Sequence, residues 1–80
     1  MTPAELNQSI FDSLISKYNR PTMSPAEVAT ETGISASHVR RMCASRAITA
    51  GRIGDRWVIP TVEVAAILSG TKNTANPSIV

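Results

Sequence analysis

Little in this sequence is equipped for covalent or metal chemistry. Its 80 residues include one cysteine, Cys43, and one histidine, His38. A single cysteine excludes an internal disulfide, and the two residues together leave no ligand set for a metal. The six acidic residues do not cluster. With no nucleophile–base pair and no metal site, the pattern predicts neither an enzyme nor a cofactor. Apolar stretches fall far short of the ~20 residues that span a bilayer. The N-terminus shows no charged leader ahead of an apolar run, so a signal peptide is not expected. The expectation is a soluble, cytoplasmic protein without membrane contact, folded as one small domain around a modest core.

Net charge is also low, +2 at pH 7, but its distribution is uneven. Residues 35–59 hold Arg40, Arg41, Arg46, Arg52 and Arg56 against Asp55 alone. Residues 1–34 hold Lys17 and Arg20 against Glu5, Asp12, Glu27 and Glu31. The central cations are all arginine, whose planar fork matches phosphates and guanine edges better than the lysine ammonium does. A charge run often marks no more than a solvated face. An all-arginine cluster confined to one stretch points instead toward phosphate.

The chain is organised around residues 24–45, SPAEVATETGISASHVRRMCAS. Ser24, Pro25 and Glu27 form a capping box with proline at the first helical position, where its missing N–H costs nothing. Gly33 supplies the positive φ that ends this helix, and Ser35 caps a second one over residues 36–45. Helices joined by so tight a turn cross steeply, as in a helix-turn-helix. Helical spacing places Val39, Met42 and Cys43 on one side of the second helix. Ser37, Arg40, Arg41 and Ala44 fall on the other, with His38 and Ser45 on a flank. Small residues beside two arginines allow close approach to base edges, and alanine can touch a thymine methyl. Cys43, on the apolar side, reads as a buried thiol.

Before this unit, Thr2-Pro3-Ala4-Glu5 repeats the capping device. It opens a helix over residues 3–18 with Leu6, Ile10, Phe11, Leu14, Ile15 and Tyr18 on one stripe. Asn19-Arg20-Pro21 stops the helix, because a residue before proline disfavours the α region. The stripe needs a cover. Either the chain's own core supplies it or a second copy does, by self-association.

After the unit come two extended patterns, residues 48–53 and 56–59, with a two-residue turn at Gly54-Asp55. Trp57 and Ile59 share one face and Arg56 and Val58 the other. The preferred reading of Trp57 is a core anchor. Arg52 and Arg56 flank the turn, so a cationic hairpin projects beside the helix pair as a wing. Pro60 breaks the strand and Thr61 is the expected cap of a short last helix, with Val64, Ile67 and Leu68 facing the core and Gly70 ending it. Residues 71–80 are polar and aperiodic and read as a mobile tail. The fold expected is mainly α with a small β-hairpin (α+β), divided as an N-terminal helix at 1–20, a winged helix-turn-helix at 21–70 and the tail at 71–80.

Residues 22–69 resemble the small winged-helix domains of phage and plasmid excisionases, relatives of the MerR-type DNA-binding domain. The matching features run in order. They are a hydroxyl-led first helix, Gly33-Ile34-Ser35, Val39-Arg40-Arg41-Met42, Ile48, a hairpin turning at Gly54, Arg56-Trp57-Val58-Ile59-Pro60 and a short closing helix. The resemblance implies binding to repeated sites, bending of DNA, and help to an integrase in running excision rather than integration. The same module serves AlpA-like transcriptional regulators, which is the alternative. Position 46, often glycine in the family, is arginine here, and the helix at residues 3–18 lies outside the shared pattern.

On this reading helix 36–45 enters a major groove of double-stranded DNA. Arg40 and Arg41 face guanine edges or phosphates, and Ala36 and Ala44 permit close approach. Ser35 and Ser37, at the helix N-terminus, bind phosphate through hydroxyl and backbone N–H. Arg52 and Arg56 hold the adjacent backbone or minor groove. His38 either touches the backbone or rests half-buried on the helix flank. A protein-interaction module, working through the stripe of helix 3–18, is the competing class.

Overall fold

The computed structural model describes residues 2–70. Helix α1 (Pro3–Tyr18) starts where Thr2 Oγ1 accepts the Glu5 N–H at 3.2 Å. It ends at Tyr18, as expected, with Asn19 as its C-cap. Asn19 takes the left-handed conformation, φ 54, and donates its N–H to the Ile15 carbonyl at 2.7 Å. Asparagine tolerates that conformation better than most residues, so the stop is a cap rather than a proline effect.

Strand β1 (Thr22–Met23) follows, and then helix α2 (Pro25–Thr32). The capping box of α2 is complete. Ser24 Oγ accepts the Glu27 N–H at 3.2 Å, and Glu27 Oε1 accepts the Ser24 N–H at 2.8 Å. Gly33, at φ 77, ends α2, and Ser35 Oγ caps helix α3 (Ala36–Ala44) by accepting the His38 N–H at 3.1 Å. Strands β2 (Gly51–Ile53) and β3 (Arg56–Pro60) form a hairpin around Gly54, at φ 61, and helix α4 (Thr61–Leu68) closes the fold.

Two expectations need correction, and a third feature is new. Extended structure was expected from residue 48, yet β2 begins at Gly51. The amides before it are spent elsewhere: Ala47 and Ile48 donate to the Met42 carbonyl at 2.9 and 3.2 Å, sealing the end of α3, and Thr49 donates to Glu63 Oε2 at 2.7 Å. Thr61 does not cap α4. It sits fully buried at the first helical position, its hydroxyl donating to the Arg20 carbonyl at 3.1 Å and its N–H to the Pro21 carbonyl at 2.8 Å. Thirdly, β1 had no counterpart in the sequence pattern. It pairs antiparallel with β3, Thr22 opposite Pro60 and Met23 opposite Ile59, giving a sheet ordered β1-β3-β2.

Each element sends at least one side chain into a single core, except β2. Leu14, Met23, Val28, Val39, Cys43, Ile48, Ile59, Val64 and Ala65 are all buried. Part of the stripe on α1 packs within the chain, because α1 lies along α4, while Leu6 and Ile15 are not among the residues packed on the core. Leu14 is buried, and Ile10, Phe11 and Tyr18 pack on the core, whereas Leu6 stays 36% exposed. Ile67 and Leu68 pack as expected, and Trp57 is half-buried against the same cluster. Glu31 ties α1 to α2, accepting from Lys17 Nζ at 2.6 Å and from Tyr18 Oη at 2.5 Å. The expected tail at residues 71–80 lies outside the described residues.

Candidate nucleic-acid interface

Helix α3 divides cleanly between two roles. Val39 and Cys43 are buried and Met42 is half-buried, which anchors one face in the core. Burial raises the Cys43 thiol pKa by disfavouring the thiolate, so its sulfur is suited to packing and not to attack. On the other face Ser37, His38, Arg40, Arg41 and Ala44 are exposed, and Ala36 is half-buried.

The two arginines of α3 turn to different neighbours. Arg41 Nη2 lies 3.2 Å from His38 Nδ1, so the exposed histidine stands beside it on the helix surface. Arg40 faces an open groove that it shares with Arg56. Ser35 uses its hydroxyl oxygen as the helix cap. At the N-terminus of α3 that leaves the Ser37 hydroxyl exposed with the positive end of the helix behind it.

The wing separates its arginines as well. In the hairpin register Arg52 lies opposite Trp57, and Ile53 opposite Arg56. Alternation therefore puts Arg52 and Arg56 on opposite faces of the hairpin rather than side by side. The Arg52 guanidinium covers the indole of Trp57 and its Nε donates to the Gly54 carbonyl at 3.2 Å. Arg56 is exposed on the groove side.

Position 46 resolves the departure noted in the sequence. Arg46 adopts φ 67, the left-handed conformation that glycine takes without strain, and donates its N–H to the Cys43 carbonyl at 3.1 Å. The turn from α3 toward the hairpin thus keeps a glycine-type backbone while adding an exposed cation.

One basic residue escaped the sequence reading. Arg20 belongs by position to the acidic N-terminal segment, but it lines the same groove as Arg40 and Arg56. No periodicity marks it; the pairing of β1 with β3 and the bond from Thr61 bring it there. Among the described residues no group of three His, Cys, Asp or Glu side chains can hold a metal ion. None of the described helices is long and apolar enough to cross a membrane.

A helix pair joined through residues 33–35, with an exposed basic second helix and followed by a β-hairpin on the same core, defines a winged helix-turn-helix, a class of DNA-binding domain. A family model described as a helix-turn-helix domain matches residues 22–74, and the chain belongs to that family. No curated protein and no solved structure matches the chain.

Proposed function

We propose that the protein is a sequence-specific DNA-binding and DNA-bending factor that acts as an excisionase, directing an integrase toward prophage excision. The observation that carries the DNA-binding part is the two-sided character of α3. Its apolar face is committed to the core through Val39 and Cys43, while Ser37, Arg40, Arg41 and Ala44 face outward beside a cationic wing. In this reading α3 lies in a major groove. Arg40 and Arg41 meet base edges or phosphates, Ala36 and Ala44 allow close approach, and Ser35, Ser37 and His38 lie toward the backbone. Arg52 and Arg56 reach the flanking backbone or minor groove, where a bent duplex brings more phosphate within range.

The recombination role rests on the resemblance of residues 22–69 to excisionases. It is tested by recombination between attachment sites with the cognate integrase, with and without the protein. An unchanged direction of reaction, with DNA binding intact, would assign the protein to the small transcriptional regulators built on the same module.

A further inference from the structure

An open groove of about 380 Å³ lies between the first turn of α2, the flank of α3 and strand β3. Three arginines line it, Arg20, Arg40 and Arg56, and the one acidic residue on its wall is Asp55. The arginines come from three separate parts of the chain: the α1–β1 connection, the exposed face of α3 and the wing. With Glu27 paired to Arg20 and Asp55 on the wall, the three arginines leave a positive excess of 3 − 2 = +1 at this concavity, carried by Arg40 and Arg56. Arg40 and Arg56 take part in no ion pair among the described residues.

Arg20 differs from the other two in being held. Glu27 Oε2 accepts from its Nη2, while Glu27 Oε1 accepts the Ser24 N–H at 2.8 Å. One carboxylate thus caps α2 and orients the guanidinium. At the backbone, the Arg20 carbonyl accepts the hydroxyl of buried Thr61 at 3.1 Å. The backbone is held by Thr61 and the guanidinium by Glu27, while the side chain remains 50% exposed, leaving donors for a second acceptor. A guanidinium that is already ordered loses little entropy on binding, and its fork suits a phosphate.

We propose that this groove seats a backbone phosphate of duplex DNA, with Arg20 as a fixed clamp joining the strand contacts of α3 to those of the wing. The proposal rests on the DNA-binding reading above and adds to it a site built by tertiary structure. Its occupant is the anionic backbone and carries no base information, so Arg20 contributes to affinity and orientation but not to sequence choice.

The test compares wild type, Arg20→Ala and Arg20→Lys on a short mixed-sequence duplex across a series of salt concentrations, with circular dichroism to verify the fold. Wild type is expected to show salt-dependent binding. Arg20→Ala should bind about three- to tenfold more weakly at low salt, with a salt slope shallower by about one. Arg20→Lys should recover the slope, which counts charges. A wild type that binds no duplex would overturn the DNA-binding reading itself. A wild type that binds, with an Arg20→Ala slope unchanged or an Arg20→Lys slope left at the alanine value, would overturn the groove alone. Thermal unfolding with added inorganic phosphate supplies the last arm. Stabilisation of wild type but not of Arg20→Ala, with duplex binding equal in both, would make the groove a small-anion site and also overturn the proposal.

Discussion

The guanidinium of Arg52 lies over the indole of Trp57, its central carbon 5.0 Å from the ring centroid. The two are cross-strand partners in the wing, so the cation closes the outer side of a ring whose inner side packs on the core. Such contacts at exposed sites contribute about 0.5–1 kcal/mol. Arg52→Ala should lower stability by about that amount in chemical denaturation. It should also shift the emission of the sole tryptophan to the red and reduce the salt slope of DNA binding by about one unit.

Val39 and Arg40 are adjacent in the sequence and opposite in function. Val39 is fully buried and Arg40 is exposed. Val39→Ala leaves a cavity in the core and should cost about 2 kcal/mol of stability. Arg40→Ala should leave the unfolding midpoint nearly unchanged and cost about 1–3 kcal/mol in DNA binding. Denaturation and titration of the two variants in parallel separate packing from recognition within one turn of α3.

Arg46 holds a left-handed backbone at φ 67, which costs a residue with a Cβ roughly 1–2 kcal/mol. Arg46→Gly removes that strain but gives back part of the gain as entropy of the unfolded chain. The expected net effect is stabilisation by roughly 1 kcal/mol, read as a higher denaturation midpoint. A loss of stability would show that the arginine side chain compensates for the backbone it occupies.

Glu31 links α1 to α2 and shapes the response to pH. The Lys17 ammonium, and after it the Tyr18 hydroxyl, hold its carboxyl below the ordinary 4.5. The unfolded chain therefore binds this proton more readily than the folded one. The stabilisation is complete above about pH 4.5 and disappears as pH falls through the lower folded value. At the alkaline end the sign reverses. The bond to Glu31 raises Tyr18 above its ordinary 10.0, so that contribution is complete below 10.0 and is lost as pH rises through the higher folded value. Denaturation midpoints of wild type and Glu31→Gln should differ most on the plateau between these limits and converge toward either end.

Much of the fold was legible because it is written locally. Ser24, Glu27, Gly33 and Ser35 act within a few residues of themselves, so the helix-turn-helix can be located from caps alone. The 3.6-residue period similarly sorted α3 into Val39 and Cys43 inside and Arg40 and Arg41 outside. What escaped had no local signature. Strand β1 is two residues long, too short for alternation, and exists because β3 offers it an edge. Thr61 looked like a cap because threonine before an apolar run usually is one. Its hydroxyl instead found the Arg20 carbonyl, 41 residues away.

The sequence by itself determined the caps that open α1, α2 and α3, which face of α3 is apolar and that arginine dominates the middle of the chain. Caps, periodicity and composition are short-range properties, expressed before any long-range contact forms. Tertiary structure alone decided that α1 lies along α4 with Leu14 buried, that Arg52 and Arg56 face opposite ways and that Arg20 joins Arg40 and Arg56 around one groove. Those outcomes depend on strand register and on packing between distant segments, where the energy of a pairing belongs to both partners and neither shows it alone.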